Sequence, residues 1–212
     1  IELSQMERLY LYQLTNYNKI LVQRNNLLKQ IRFQNNLIET LEAWDIQLVK
    51  YGSEVIKYRE KFIKHLGEVC QKIHNKLTGG KEKILLEYDR DVGYDSYLTE
   101  LAKKRQKDLK YSTTTVGPHR DDISFIVNGI DIRKYGSQGQ QRTAALSLKL
   151  AQIQLMREVM KESPILLLDD VLSELDSNRK TYLLESIKDT QTIITCTGLD
   201  EFISKHLPIQ RM

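Results

Sequence analysis

The sequence predicts an α/β fold in which a long helical hairpin precedes a small parallel sheet. No glycine occurs before Gly52 and no proline before Pro118, and such an unbroken stretch favours a long helix. Later in the chain, apolar runs at 164–168 and 192–196 flank a helical pattern at 176–188. This strand–helix–strand order predicts buried parallel strands that are joined by a crossover helix.

The first element is a helical arm, which we place at residues 1–81. Ten of fourteen positions spaced three and four residues apart, from residue 3 to residue 48, are apolar. This spacing is typical of a coiled-coil seam with polar interruptions. The letters YGS at 51–53 break the pattern, and Ser53 is the expected N-cap of a second helix. Two amphipathic helices and a tight turn predict an antiparallel hairpin, with two helices of an ordinary bundle as the alternative.

The helical pattern of the sequence ends at the glycines at 79–80, and we assign residues 82–212 to the second domain. Before the parallel strands, this domain shows an alternating apolar pattern, charged helical patterns and an Asn-Gly pair. These patterns predict strands, helices and a hairpin. These elements are a strand at 83–89, a charged helix at 94–110, a β-hairpin at 122–132 around Asn128-Gly129, and a helix from Gln138 to about Lys161.

Composition narrows the class of protein. No run of about 18 apolar residues occurs, so no membrane span is expected. The two cysteines, Cys70 and Cys196, lie far apart in sequence, and the simplest expectation is a reducing, cytoplasmic setting. The opening IELSQMERLY starts inside a helical pattern without an initiator Met, so we expect a piece of a longer protein.

The net charge of +4 lies in the first half of the chain. Residues 1–110 hold 20 Lys and Arg against 15 Asp and Glu. This balance permits nucleic-acid contact, although a solvated helix surface explains it equally well. The candidates for a DNA-binding surface are Lys103, Lys104, Arg105 and Lys107.

Two carboxylates, Asp169 and Asp170, end the first predicted parallel strand. Ligands of open α/β sheets bind at the carboxyl ends of strands, and charge is costly to bury there without a partner such as a metal. Alone, this pattern fits a nucleotide-hydrolysing strand, a phospho-receiver pocket or a metal-dependent phosphatase. Two neighbouring segments discriminate: SELD follows at 173–176, and GSQGQQR precedes at 136–142.

In this order and spacing, the three segments resemble the motifs of an ABC- or SMC-type ATPase head. The stretch 136–140 resembles the LSGGQ signature, 165–170 resembles Walker B, and 173–176 resembles the D-loop. The resemblance implies that the chain is the C-terminal part of such a head, with a hairpin arm. It also implies a signature that binds, in trans, the ATP of another subunit through Ser137, Gln138, Gly139 and Gln140.

The resemblance implies a role for each remaining site residue. A helix mouth suits the γ-phosphate because its first N–H groups lack partners and its dipole favours an anion. Asp169 would orient Mg²⁺ through water, and Asp170 would position the attacking water. Most relatives carry Glu at the second position, so the shorter Asp170 predicts slow hydrolysis. Ser173 and Asp176 would belong to the D-loop.

Two departures from the pattern change the expected activity. The nearest match to a phosphate-binding P-loop, NKLTGGKE at 75–82, has the wrong first and last residues and follows a helix. We therefore expect the Walker A lobe to be absent and this chain alone to be inactive, whereas the intact protein would be a slow ATPase. The slot of the switch histidine holds TCTG at 195–198.

The string GPHRDD at 117–122, followed by a strand and then SQGQQRT, resembles the RecF family of bacterial recombination mediators. The resemblance implies a cytoplasmic protein of recombinational repair, replication-fork maintenance and the SOS response, which dimerises on ATP. It implies binding to double-stranded and gapped DNA, and loading of RecA with RecR and RecO. The alternatives are a non-catalytic interaction module and another SMC-like head such as RecN, which the short arm disfavours.

The role of the 117–122 segment stays open at this point. Arg120 could pair with Asp121 or Asp122 and shape a turn before the next strand. Alternatively, the segment could support the dimer or the nucleotide site.

Overall fold

A computed structural model describes residues 1–195, with Ser173 and Glu174 described in their backbone alone. The α-helices are α1 (Glu2–Met6), α2 (Arg8–Ile31), α3 (Leu41–Leu77), α4 (Tyr97–Tyr111), α5 (Ile132–Tyr135), α6 (Gln138–Met160) and α7 (Ser177–Ser186). The strands are β1 (Ile84–Asp89), β2 (Asp122–Val127), β3 (Ile130–Asp131), β4 (Leu166–Asp169) and β5 (Thr192–Thr195). Short 3₁₀ helices cover Asn35–Thr40, Pro118–Arg120 and Val171–Glu174. Within residues 1–195, no helix has the length and apolar character needed to cross a membrane.

Helices α2 and α3 form an antiparallel hairpin, as predicted, but these are not the two helices that the sequence predicted. The Arg24 guanidinium donates to Asp45 at 2.7 Å, and Arg59 donates to the Tyr10 hydroxyl at 3.1 Å. Tyr10, near the start of α2, pairs with Arg59, whereas Arg24, near the end of α2, pairs with the earlier Asp45 of α3. The two helices therefore run in opposite directions. The midpoint of both pairs in the sequence lies at the start of the 3₁₀ helix between α2 and α3.

The prediction of a turn at 51–53 is wrong. α3 continues through this segment, so Ser53 is not an N-cap, and the chain reverses at the earlier 3₁₀ helix. A Cβ atom at Gly52 would lie 2.6 Å from Cε1 of Tyr97 and 3.0 Å from Cε2 of Tyr17. The glycine therefore makes room for two tyrosine rings against the helix, and it does not end the helix.

The polar interruptions of the predicted seam include a buried ion-pair network. Arg24 is fully buried and binds the carboxylates of Asp45 and Asp108, each at 2.7 Å. Arg105 binds the second oxygen of Asp45 at 2.9 Å. Because a buried charge is tolerated only with such partners, these residues are internal structure. Arg105 is therefore held by the fold, while its side chain remains 34% exposed, and its place among the DNA-binding candidates stays a prediction.

The chain divides into two compact units. The first comprises residues 1–65 and 86–124, and its apolar core joins the hairpin to α4. The core residues are Tyr10, Tyr17, Leu48, Val55, Ile56, Val92, Tyr97, Leu101 and Val116.

The second unit comprises residues 66–85 and the residues from 125 onward. The predicted hairpin is confirmed: β2 pairs antiparallel with β3, and the turn residues Asn128 and Gly129 have φ of 49° and 84°. The predicted parallel pair is also confirmed, with Asp169 opposite Thr195 at the carboxyl ends of β4 and β5. The prediction that both faces of β4 are buried is wrong, because Leu167 is 68% exposed.

Candidate functional site

The signature segment, Gly136–Gln140, forms the mouth of α6. Ser137 is the N-cap, and its hydroxyl accepts a hydrogen bond from the Gln140 amide at 3.2 Å. The Gln140 side chain accepts in return from the Ser137 amide at 3.1 Å, which completes a capping box. In the first turn, the amides of Gln138 and Gly139 lack a helical carbonyl to bind. The prediction that this segment starts a helix is confirmed.

The two glycines of the signature segment do different work. A Cβ atom at Gly136 would lie 2.6 Å from the Ile132 carbonyl oxygen, so this position needs glycine for the close approach of α5. A Cβ atom at Gly139 would meet only the Ser137 hydroxyl, at 4.0 Å. Gly139 is exposed, and its missing side chain leaves space outside the helix mouth. Packing explains the first glycine, whereas the second leaves room for a ligand.

A polar chain lies behind the signature segment. The Gln140 side-chain amide donates to Glu82 at 3.2 Å, and the other Glu82 oxygen lies 3.2 Å from Nε2 of His74. Nδ1 of His74 lies 2.9 Å from the hydroxyl of Ser147, which is about two helical turns after Gln140 in α6. Burial is the main cause that lowers the pKa of His74 below its ordinary value. The sequence carried no motif for this chain of contacts, and sequence reasoning missed it.

The predicted metal carboxylate, Asp169, and the predicted catalytic carboxylate, Asp170, lie together at the exposed end of β4. The Thr195 hydroxyl donates to the Asp169 carboxylate, and it also accepts from the Asp170 amide at 3.1 Å. Asp170 adopts the left-handed backbone conformation, with φ of 49°. Such a conformation is uncommon for a residue other than glycine, and it often marks a functional position. Thr195 was missed as a site residue, although the parallel register places it opposite Asp169.

The carboxylate end of β4 fits a Mg²⁺ ion held through water. Asp169 is exposed and has one carboxylate oxygen bound to Thr195, which orients the group without enclosing it. Among the side chains that the structure describes, which exclude those of Ser173 and Glu174, no cluster of three or more His, Cys, Asp or Glu forms a closed metal site. A water-mediated ion needs no such cluster, because Mg²⁺ keeps several waters and binds through one or two carboxylates.

The predicted D-loop residues differ in what the structure describes of them. Asp176 is the N-cap of α7, where its carboxylate accepts from the Arg179 amide at 3.0 Å. Ser173 lies in the 3₁₀ helix after β4, and its side chain falls outside the described part of the chain. Most of the predicted switch slot, residues 196–198, also lies outside the described residues.

Comparisons with known proteins match the whole chain. It is 55% identical over 212 residues to the DNA replication and repair protein RecF of Agathobacter rectalis, covering 100% of this chain and 59% of that protein. It is 46% identical over 209 residues to the RecF protein of Clostridium perfringens, covering 96% and 57%. The chain is a RecF homologue. It spans 59% of the length of the Agathobacter rectalis protein and 57% of the Clostridium perfringens protein. A search against family models found no match.

Solved RecF structures match the fold as well. A RecF–ATP structure, described as a recombination mediator of the RecFOR pathway, superposes with a TM-score of 0.85 at 38% identity. The match covers 94% of this chain and 56% of that one. A second RecF structure with an ATP analogue gives a TM-score of 0.82 at 37% identity. The predicted fold class is confirmed as an α/β fold with a long helical arm, as in the RecF structure.

The RecF-like 117–122 segment lies within the first unit, and its polar groups are bound there. The Asp121 carboxylate binds Arg59 at 3.0 Å, the Tyr88 hydroxyl and the Asp91 amide. It does not form the turn with Arg120 that one interpretation predicted; Arg120 is exposed. Arg59 also donates to the Pro118 carbonyl. The segment therefore ties α3 to the strands around it.

The glycine and histidine of the same segment contact two tyrosines. Gly117 has φ of 134°, and a Cβ atom there would lie 2.1 Å from the Tyr97 hydroxyl and 2.6 Å from the Tyr17 hydroxyl. The Tyr17 hydroxyl in turn lies 2.6 Å from Nδ1 of His119. Burial raises the pKa of Tyr17 and Tyr97 above their ordinary range. These tyrosines are neutral, internal hydrogen-bonding groups.

Proposed function

We propose that this chain supplies the signature half of an ATP site that another subunit completes, within an ATP-switched DNA-repair protein. The observation that carries the proposal is the mouth of α6. Its capping box orders the first turn, and the exposed amides of Gln138 and Gly139 follow a serine with a hydroxyl donor. An ordered helix mouth with an open position at Gly139 is suited to the γ-phosphate of ATP.

The carboxylates at the end of β4 supply the second part of the chemistry. When bound, Mg²⁺ would neutralise phosphate charge, with Asp169 orienting its water ligands. Asp170 accepts a proton or hydrogen bond from the attacking water and places it in line with the phosphate. The left-handed backbone of Asp170 supports this role, because it directs the residue away from the regular course of β4. The D-loop residues Ser173 and Asp176 follow directly and would line the same interface.

The wider role is proposed from the relatives. Their names place them in DNA replication and repair, and the solved relative is named as a mediator of the RecFOR pathway with ATP bound. We propose that the protein containing this chain binds double-stranded and gapped DNA as an ATP-dependent homodimer in the cytoplasm. It would cooperate with RecR and RecO to load RecA in recombinational repair, replication-fork maintenance and the SOS response.

A chimaera tests the trans-acting ATP site. This chain replaces the matching residues of the Agathobacter rectalis RecF protein, and sedimentation velocity measures self-association with and without ATP and Mg²⁺. The chimaera is expected to dimerise only with ATP, whereas the chain alone neither turns ATP over nor dimerises. Tight ATP binding and hydrolysis by the chain alone would show that the motif assignment is wrong.

The role of Asp170 has a separate test in the same chimaera. Asp170→Asn is expected to slow ATP turnover by about a hundredfold while the ATP dimer persists, because the variant keeps the shape and loses the negative charge. Single-turnover hydrolysis and sedimentation velocity report the two properties independently. Unaltered turnover would remove Asp170 from the mechanism.

A second candidate function is a non-catalytic interaction module for protein or DNA. One sequence observation favours it for the chain alone: the 212 residues contain no match to the P-loop pattern. The chimaera separates the two functions, because an interaction module gains no ATP-dependent self-association when the rest of a RecF protein is supplied.

A further inference from the structure

We propose that Glu82 and His74 are positioning residues that hold the signature segment in its phosphate-binding shape. Both lie outside the signature segment: His74 is near the end of α3, and Glu82 lies just before β1. Glu82 contacts Gln140, and His74 contacts Glu82. The inference rests on the proposed function, because it assigns these residues to the same helix mouth. The inference goes beyond the proposed function by naming the groups that set the geometry of the helix mouth.

The contacts run from the motif to the interior of the second unit. Gln140 uses both ends of its side-chain amide: the oxygen accepts from the Ser137 amide at 3.1 Å, and the nitrogen donates to Glu82 at 3.2 Å. The capping box therefore depends on Glu82 for the orientation of the Gln140 amide. A free glutamine at the surface would sample several rotamers, and only one of them closes the box.

Glu82 is itself held in place by a buried group. Its second carboxylate oxygen lies 3.2 Å from Nε2 of His74, and the His74 side chain is fully buried. The other ring nitrogen lies 2.9 Å from the hydroxyl of Ser147, a buried residue of α6. The imidazole thus spans from α6 to the carboxylate, and a buried, hydrogen-bonded ring gives the carboxylate one orientation.

The protonation state follows from the contacts. The Glu82 carboxylate can only accept, so Nε2 of His74 must carry a proton toward it. In the neutral ring, Nδ1 is an acceptor for the Ser147 hydroxyl, whose single proton is shared with the Thr143 carbonyl at 2.7 Å. The lowered pKa of His74 agrees with this neutral form. The arrangement therefore needs no buried positive charge.

A second polar contact supports the same turn from within α6. The Thr143 hydroxyl donates to the Gly139 carbonyl at 2.7 Å, and Thr143 is buried. The Gly139 carbonyl is fixed from the inner side, while Gln140 is fixed through Glu82. Together these contacts leave the outward amides of Gln138 and Gly139 with one direction, which is the condition for pre-organised phosphate binding.

The test compares three variants in the chimaera and in the chain. Glu82→Ala removes the partner of Gln140, whereas Glu82→Gln keeps an oxygen for Gln140 and an amide for the opposite tautomer of His74. Glu68→Ala is the matched control. Glu68 and Glu82 line the same surface pocket, but the Glu68 carboxylate is exposed and does not contact Gln140. Thermal unfolding verifies that each variant is folded.

Two measurements are made on each variant. In the chimaera, Glu82→Ala is expected to weaken ATP-dependent self-association about five- to tenfold, the effect of one lost hydrogen bond, with most of it recovered by Glu82→Gln. In the chain without ATP, hydrogen exchange at the Ser137 amide is expected to accelerate about fivefold in Glu82→Ala alone. The Glu68→Ala variant is expected to match the unmodified protein in both.

Three outcomes would overturn the positioning role. The first is unchanged association and exchange in Glu82→Ala. The second is an equal loss in Glu82→Gln, and the third is an equal loss in Glu68→Ala, since both would indicate carboxylate charge as the cause. A further chimaera variant, Ser137→Arg, places a long side chain in the helix mouth itself. If association stays intact in this variant as well, the proposed function fails. The exchange of the Ser137 amide still decides the positioning role in that case, because it requires no nucleotide.

Discussion

The 117–122 segment and the signature segment are both polar, but their polar groups have different surroundings in the structure. In the 117–122 segment, the carboxylate of Asp121 and the backbone of Gly117 are bound by residues of the same unit. In the signature segment, the capping box of Ser137 and Gln140 orders the turn, yet the helix mouth faces outward. In the first segment, the Asp121 carboxylate and the Gly117 amide are satisfied internally, whereas the second segment exposes the amides of its helix mouth.

The difference teaches how a structural motif can be told from a binding motif. Both segments contain glycine and polar residues, and both resemble RecF sequences. One glycine separates them: Gly117, like Gly136, has no space for a side chain, whereas Gly139 has open space beside it. A glycine that packing does not require, in a turn whose geometry is held from behind, is the mark of a surface that meets something else.

The largest expected effect breaks the internal segment. Asp121→Ala leaves Arg59, the Tyr88 hydroxyl and the Asp91 amide without their shared acceptor. We expect the free energy of unfolding to fall by about 3–4 kcal/mol, because a largely buried charge loses its partner. Urea unfolding of the chain measures it, with the exposed Asp95→Ala as control. A loss of less than about 1 kcal/mol would place the segment outside the stabilising core.

A matched pair of glycine substitutions sharpens the comparison. Gly117→Ala is expected to cost about 2–3 kcal/mol, because alanine is strained at φ of 134° and its Cβ overlaps two tyrosine hydroxyls. Gly139→Ala is expected to leave the unfolding free energy unchanged or slightly raised, since alanine favours a helix. Chemical unfolding of both variants compares them directly. Equal destabilisation would erase the distinction between the two segments.

The smallest expected effect concerns pH. Desolvation lowers the pKa of His119, which lies among Tyr17, Arg120, Asp91 and Asp121. Below a pH of about 6.5, the unfolded chain takes up a proton that the folded chain resists, so the free energy of unfolding falls with decreasing pH. His119→Asn should flatten this slope between about pH 7.5 and 5.5. A slope that His119→Asn leaves unaltered would assign the pH dependence to other groups.

Local patterns predicted most of the elements in this fold. Asn128-Gly129 predicted the hairpin, and the apolar runs that end at Asp169 and Thr195 predicted the parallel pair. The turn of the arm was misplaced because Gly52 looks like a helix breaker in sequence. Its actual role depends on Tyr17 and Tyr97, whose approach no local pattern reveals.

The candidate site was predictable where its chemistry is local. Ser137 and Gln140 have the spacing of a capping box, and Asp169 with Asp170 ends a strand, so their positions could be predicted. The link from Gln140 to Glu82 and His74 could not, because it joins positions nearly sixty residues apart through single hydrogen bonds. Such contacts follow from packing in three dimensions and leave no periodic signal.

The most direct measurement of the central claim is ATP-dependent self-association of the chimaera carrying Ser137→Arg. The arginine side chain would occupy the helix mouth where the phosphate of another subunit is proposed to bind. Sedimentation velocity with ATP and Mg²⁺ is expected to show only monomer, while nucleotide binding by the monomer and thermal unfolding stay as in the unmodified chimaera. An ATP-induced dimer that persists in Ser137→Arg would contradict the claim that the signature segment meets ATP across the interface.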